Sequence, residues 1–211
     1  MEKAQTLKQR LALPRLLPLW QLLRRRQLSW GSNLFHVGIL VILIGHTGGL
    51  LTPVAIFEML GISHTAKQLT AIVVGGVSGI MCLAGLLLLL HRRLLDPRIR
   101  RTSSFADIAV LIILLAQLLL GLSTILVSLN HLDGTEMILL MNWAQHVVTL
   151  RPGAADFVAN VSPIFKAHLV LGMTIFLIFP FTRLVHVLSA PIWYLGRRGY
   201  QIVRTKQLRK V

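Results

Sequence analysis

Four uninterrupted apolar runs, each long enough to cross a bilayer, constrain this chain more than any other feature. A helix needs about 20 residues, at 1.5 Å each, to traverse roughly 30 Å of hydrocarbon. Runs of that length lie at about 33–53, 69–90, 105–129 and 164–189. The second reads LTAIVVGGVSGIMCLAGLLLLL, apolar on every helical face, which a water-facing helix does not sustain. With 55% hydrophobic residues over 211 positions, the expected fold class is all-α, an integral membrane four-helix bundle. Residues 1–30 read as a basic amphipathic cytoplasmic segment, 31–190 as the bundle and 191–211 as a basic cytoplasmic tail. No Gly/Ser linker or internal repeat divides them. Basic residues spread through positions 1–30, with Pro14 and Pro18 between them, do not form a signal peptide. The single Cys82 excludes an intrachain disulfide.

The formal charge of +15 matters through its placement. Arg24, Arg25 and Arg26 precede the first span; Arg92, Arg93, Arg98, Arg100 and Arg101 lie between the second and third; Arg197, Arg198, Arg204, Lys206, Arg209 and Lys210 follow the fourth. All three clusters fall on one side of a four-span topology. The opposite side carries only Lys67 and Arg151, with Lys166 at its edge. The positive-inside rule therefore puts both termini in the cytoplasm, and the basic inner face also attracts anionic lipid. Nucleic acid is not an expected partner, because the charges flank spans without the aromatic interleaving of single-strand binders.

Little chain remains for a catalytic domain: the longest stretch outside the spans is an outer loop of about 34 residues. Within it, Glu136 to Leu150 has apolar residues at near-helical spacing and is expected to form a short interfacial helix that roofs the bundle. The Leu-rich, basic stretch from Leu7 to Arg24 is expected along the inner leaflet.

Four of the eight histidines lie inside the apolar runs, His36 and His46 in the first, His168 and His186 in the last. Taking an imidazole nitrogen out of water without a partner costs a few kcal/mol, and ionisable groups within a membrane generally mark functional sites. The first span runs outward and the last runs inward. His46 therefore meets His168 near the outer face, and His36 meets His186 near the inner one. Two pairs on antiparallel helices suit two bis-histidine haems stacked across the bilayer; a six-coordinate iron has no open position, so such centres carry electrons. Helix geometry fits in part. Eighteen residues between His168 and His186 make about five whole turns and about 27 Å, so both rings leave one face, whereas ten residues between His36 and His46 give about 15 Å. Pro180 is expected to kink the last helix and absorb some of the difference of about 12 Å. A zinc site would need ligands converging on one point, unlike pairs at opposite depths. A lone histidine on an apolar helix is ordinarily a hydrogen-bonded interior residue. His64, His131 and His146 in outer loops and His91 at the inner border are explained by solvation.

The chain resembles the membrane-embedded cytochrome b (gamma) subunit family of respiratory nitrate reductases over roughly residues 30–200. The resemblance is carried by SNLFHVGILVILIGH at 32–46, LLTP at 50–53, GGVSGIMCLAG at 75–85, RRLLDPRIR at 92–100, GTEM at 134–137 and HLVLGMTIFLIFPFTRLVH at 168–186. It implies that His36, His46, His168 and His186 are axial ligands to the iron of two b-type haems. It implies quinol oxidation beside the outer haem, with Lys67 in AKQLTA contacting quinol and Gly49 lying against the same pocket. Arg93 resembles an arginine at the inner haem edge. Lys67 also has a case of its own, since an ammonium at the outer margin can donate to a quinol oxygen; snorkelling is the plainer use of the same group. Gly48 and Gly49, and the GxxxG pair Gly75 and Gly79, suit close helix packing as well. Family members ordinarily carry an additional span ahead of the first histidine helix, and no run before Gly31 is long and apolar enough to supply it. Lateral packing in the membrane is where this departure bears.

The resemblance implies a membrane anchor and electron-transfer subunit in the cell inner membrane. Quinol oxidised near the outer face would send electrons through two haems to an iron-sulfur (beta) subunit, and a molybdenum (alpha) subunit would reduce nitrate. Protons released outside while electrons move inward would build membrane potential. Two alternatives remain open at this point. One is a cytochrome b serving another oxidoreductase. The other is a haem-free transporter or structural anchor, for which Asp107 near the start of the third span is the best support.

Overall fold

The computed structural model of the chain describes residues 2–130 and 132–187. Eight α-helices are present among them: α1 (Glu2–Leu51), α2 (Val54–Met59), α3 (His64–Leu95), α4 (Pro97–Thr102), α5 (Phe105–Ser128), α6 (Thr135–Val148), α7 (Ala154–Val158) and α8 (Pro163–Ile178). Two 3-10 turns, Phe179–Phe181 and Arg183–Val187, follow α8. No strand occurs among the described residues, and the fold class is all-α as expected. Four stretches are long and apolar enough to cross a membrane: Gln27–Leu51, His64–Leu95, Phe105–Ser128 and Pro163–Phe181. His131 and the basic tail at 191–211 lie outside the described residues.

Local chemistry sets most boundaries. Ser63 caps α3 by accepting from the Ala66 N–H at 3.2 Å. At α5, Ser104 and Asp107 form a reciprocal capping box that satisfies N–H groups which the first helical turn leaves without partners. Pro163 occupies the first turn of α8, where its missing N–H costs nothing. Helix α1 runs unbroken from Glu2 through Pro14 and Pro18 into the first span. One detail departs from the sequence expectation: His64, expected in a loop, is the first residue of α3.

The bundle is an open row rather than a closed ring. Helix α1 packs on α3, α3 on α5 and α5 on α8, while α1 and α8 are not packed against each other along their length. The tightest seam is α1 on α3. A Cβ placed on Gly85 would stand 2.3 Å from the Phe35 backbone nitrogen, and one on Gly38 2.7 Å from Cys82 N and Ser78 O. Backbones approach this closely only where the side chain is a hydrogen, the small-residue packing that replaces a hydrophobic drive between helices in lipid. The GxxxG pair singled out in the sequence is partly relocated: Gly79 meets Leu122 of α5, whereas Gly75 has only ordinary contact with Ile125. Large apolar side chains such as Val77, Ile80, Leu126, Phe176 and Leu177 stand exposed, as a lipid-facing surface requires.

Helix α6 forms within the stretch expected to roof the bundle, with Met141 and Ala144 buried beneath it. The Gln145 amide donates to the carbonyls of Leu50 at 3.3 Å and Thr52 at 3.1 Å, tying the roof to the end of α1. Glu136 accepts from the Ser162 N–H at 3.4 Å, tying it to the start of α8.

The fourth span differs most from expectation. Regular helix ends at Ile178, two residues before Pro180, whose ring removes a donor and clashes with the preceding turn. The chain then makes a 3-10 turn, passes through extended Thr182 (φ −118°, ψ 169°) and makes another. His186 is therefore not on the helix that carries His168, and five regular turns between them do not exist.

Candidate functional site

Both pairs that topology anticipates are brought together. The ring centroids of His46 and His168 lie 6.3 Å apart with planes at 39°, and those of His36 and His186 lie 6.1 Å apart with planes at 69°. Rings at this separation are too far apart to bond each other. An iron held between two imidazoles by bonds of about 2 Å would put their centroids about 6.3 Å apart.

The ring nitrogens are oriented accordingly. His36 Nδ1 lies 2.7 Å from the Ser32 carbonyl, His46 Nδ1 2.8 Å from that of Ile42, and His186 Nδ1 2.6 Å from that of Arg183. A carbonyl only accepts, so Nδ1 carries the proton in each case and Nε2 keeps the lone pair, the tautomer a metal-ligating histidine needs. His168 is supported differently, from α5. The Gln117 amide donates to the His168 carbonyl at 3.1 Å and lies 3.3 Å from its Nε2. Gly121 makes room, since a Cβ there would stand 3.0 Å from His168 Cε1. His168 Nδ1 and Gln117 Oε1 are buried with no hydrogen-bond partner among the described residues. Gln117 was legible as the single amide in the apolar run of α5, yet nothing in the sequence pointed it at His168.

A Cβ on Gly45, Gly48 or Gly49 would meet nothing within 4 Å, so close packing within the chain does not account for these three glycines on α1. The facing imidazoles and their separations fit an iron porphyrin held by each pair. No group of three or more His, Cys, Asp or Glu side chains converges among the described residues.

Lys67 and Gly49, paired in the sequence reading, are in contact: Lys67 Nζ donates to the Gly49 carbonyl at 3.1 Å. The same ammonium lies 2.8 Å from Met141 Sδ, under the roof helix, and 3.5 Å from the Phe57 ring centroid. A lysine snorkelling into water would point outward; this one is turned inward onto a carbonyl, a thioether and an aromatic face. Met141 and Phe57 had no distinguishing signal in the sequence. Arg93, near the end of α3, lies 3.1 Å from Asp107. His64 contacts Glu58 at 3.8 Å, His91 lies 3.3 Å from Gln27, and His146 packs on Phe157; none reaches the histidine pairs.

Comparison with known proteins adds lineage to this geometry. The family described as nitrate reductase gamma subunit matches residues 20–206. The chain is 50% identical over 186 residues to the respiratory nitrate reductase 1 gamma chain of Escherichia coli, covering 88% of this chain and 82% of that one. It is 38% identical over 186 residues to the nitrate reductase gamma chain of Bacillus subtilis, with the same 88% and 82% coverage. A more distant relative is the Hdr-like menaquinol oxidoreductase cytochrome b-like subunit of Archaeoglobus fulgidus, 30% identical over 154 residues, 72% of this chain and 45% of that one.

Proposed function

The chain belongs to the nitrate reductase gamma subunit family, and from that premise we propose that it is the quinol-oxidising, electron-transferring membrane subunit of a respiratory nitrate reductase. It is a multi-pass membrane protein within an enzyme complex whose nitrate-reducing site is on other subunits. In this reading quinol is oxidised near the outer face and electrons move inward to an iron-sulfur beta subunit and a molybdenum alpha subunit. Both termini are cytoplasmic, and the basic inner loops dock the partners.

The observation that carries the reading is the two facing imidazole couples, with ring centroids 6.3 and 6.1 Å apart: His46 of α1 with His168 of α8, and His36 of α1 with His186 of the turn that follows the fourth span. His46 with His168 would hold the outer haem, His36 with His186 the inner one. When bound, two b-type haems supply one-electron transfer across the low-dielectric bundle. The chain's own residues supply the ligand tautomer of His36, His46 and His186, the depth and the exclusion of water by the α6 roof. Lys67 supplies a hydrogen-bond donor for a quinol oxygen, and the bare Gly49 backbone lets the quinol ring approach.

A reduced-minus-oxidised spectrum of the purified complex tests this directly. Bis-histidine b-type bands corresponding to two haems per gamma chain are expected; a folded chain with no haem overturns the reading. For the quinol site, Lys67→Ala should slow haem reduction by a quinol about tenfold or more, the size of one lost charge-assisted hydrogen bond of about 1.5 kcal/mol. The dithionite-reduced spectrum should not change. Quinol kinetics equal to those of the unsubstituted chain would remove Lys67 from the site.

A further inference from the structure

His186 is the one proposed axial histidine that is not held by an α-helix. Beyond Pro180 and extended Thr182 the α8 hydrogen-bond ladder no longer sets its position. An ionic contact to a buried carboxylate ties its turn to the bundle instead. Arg183 Nε donates to Asp107 Oδ1 at 2.7 Å. The other oxygen, Oδ2, receives Arg93 Nη1 at 3.1 Å and the Ser104 N–H at 3.1 Å. The Asp107 side chain is 5% exposed, against 27% for Arg93 and 78% for Arg183, so the carboxylate is the fixed member around which both guanidinium groups gather. Arg93 comes from the end of α3, Asp107 from the start of α5, and Arg183 from the turn that carries His186. The Arg183 carbonyl in turn accepts from His186 Nδ1 at 2.6 Å. One residue thus links the carboxylate through its side chain and the imidazole through its backbone.

We propose that Asp107 is a positioning residue for the inner haem: through Arg183 it anchors the 3-10 turn Arg183–Val187 and so fixes the plane and depth at which His186 faces His36. This rests on the assignment of His36 and His186 as the inner axial pair. Outer partners of metal-bound histidines orient the ring and tune the metal; here that support is extended by one residue, because the ligand lies beyond the helix that would otherwise hold it. The same carboxylate, at the membrane border, balances two guanidinium charges that would repel each other near the inner ligand pair.

Asp107→Asn and Arg183→Gln, singly and together in the full complex, test the proposal. Arg183→Gln keeps the α5 capping box and the Arg93 contact, so folding survives even if Asp107→Asn impairs it. Three readouts apply: haem per chain, the midpoint potential of each haem, and the low-spin electron paramagnetic resonance signal that reports the angle between axial imidazole planes. In both single variants the inner-haem signal and potential should move, and the inner haem should be lost about tenfold more readily on dilution. The outer haem should be unaffected, and the double variant should be no worse than the more affected single one, as expected for two residues of one linkage. An unmoved inner signal in Arg183→Gln, equal changes at both haems, or strictly additive effects would each overturn the proposal. A wild-type chain without haem would overturn the haem assignment itself, a result distinct from intact haems that ignore the substitutions.

Discussion

Replacing His168 with leucine should leave a chain with one haem, the inner one, and should abolish its reduction by quinol. The His46 substitution should give the same phenotype, because the two rings face each other at 6.3 Å and each is the other's partner. The inner pair is built on different chain segments, Ser32 to His36 on α1 and the 3-10 turn Arg183–Val187, and its Nδ1 contacts do not involve the outer pair. Its spectrum and potential should therefore survive in either variant. Haem content by pyridine haemochromogen, followed by stopped-flow reduction with a quinol, measures both halves of the expectation. Retention of both haems in His168→Leu would refute the pairing. Loss of both would show that the two levels are not independently assembled. Restoring room without a ligand does not help: leucine fills the volume of the ring against Gly121 but offers no lone pair.

Gly85→Leu should prevent stable assembly of the bundle altogether. The first atom of any side chain at this position collides with backbone, standing 2.3 Å from Phe35 N and 2.7 Å from Gly31 O. Backbone atoms cannot rotate away as a side-chain end can. The cost belongs at or above the upper end of overpacking, about 3 kcal/mol. In lipid, dispersion contacts along this seam are most of what holds α1 to α3, so the loss also displaces His36 and His46 from the face of the last span. Thermal unfolding in detergent, read by circular dichroism and by size-exclusion profile, should show a lower midpoint and aggregated or missing protein. Gly76→Ala is the matched control. Its Cβ would only touch Ile125 Cδ1 at 4.0 Å, and a helical glycine replaced by alanine gains up to about 1 kcal/mol. If the two variants melt alike, the close α1–α3 approach does not contribute as described.

The chain itself determined the elements that answer to solvent polarity and chain direction. Runs of apolar residues over about 20 positions have one stable outcome in a bilayer, because a backbone without water must satisfy its own hydrogen bonds. All four spans were therefore legible, as was the roof helix α6 with its periodic apolar face. Alternation of inward and outward spans made His46 opposite His168 and His36 opposite His186 the only pairing by depth, and the structure brings those rings together.

Tertiary structure decided what lies between the helices. A membrane helix is apolar all round, so it has no polar stripe to reveal which face meets a neighbour. For that reason Gly38 and Gly85, unremarked in the sequence, make the closest seam, while Gly75 does not and Gly49 borders open space. Proline chemistry warned of a kink at Pro180, but only the folded chain shows that regular helix stops at Ile178, that His186 Nδ1 lies on the Arg183 carbonyl and that the Arg183 side chain reaches Asp107. Such contacts join residues dozens of positions apart, and local sequence carries no information about partners it does not touch until the chain has folded.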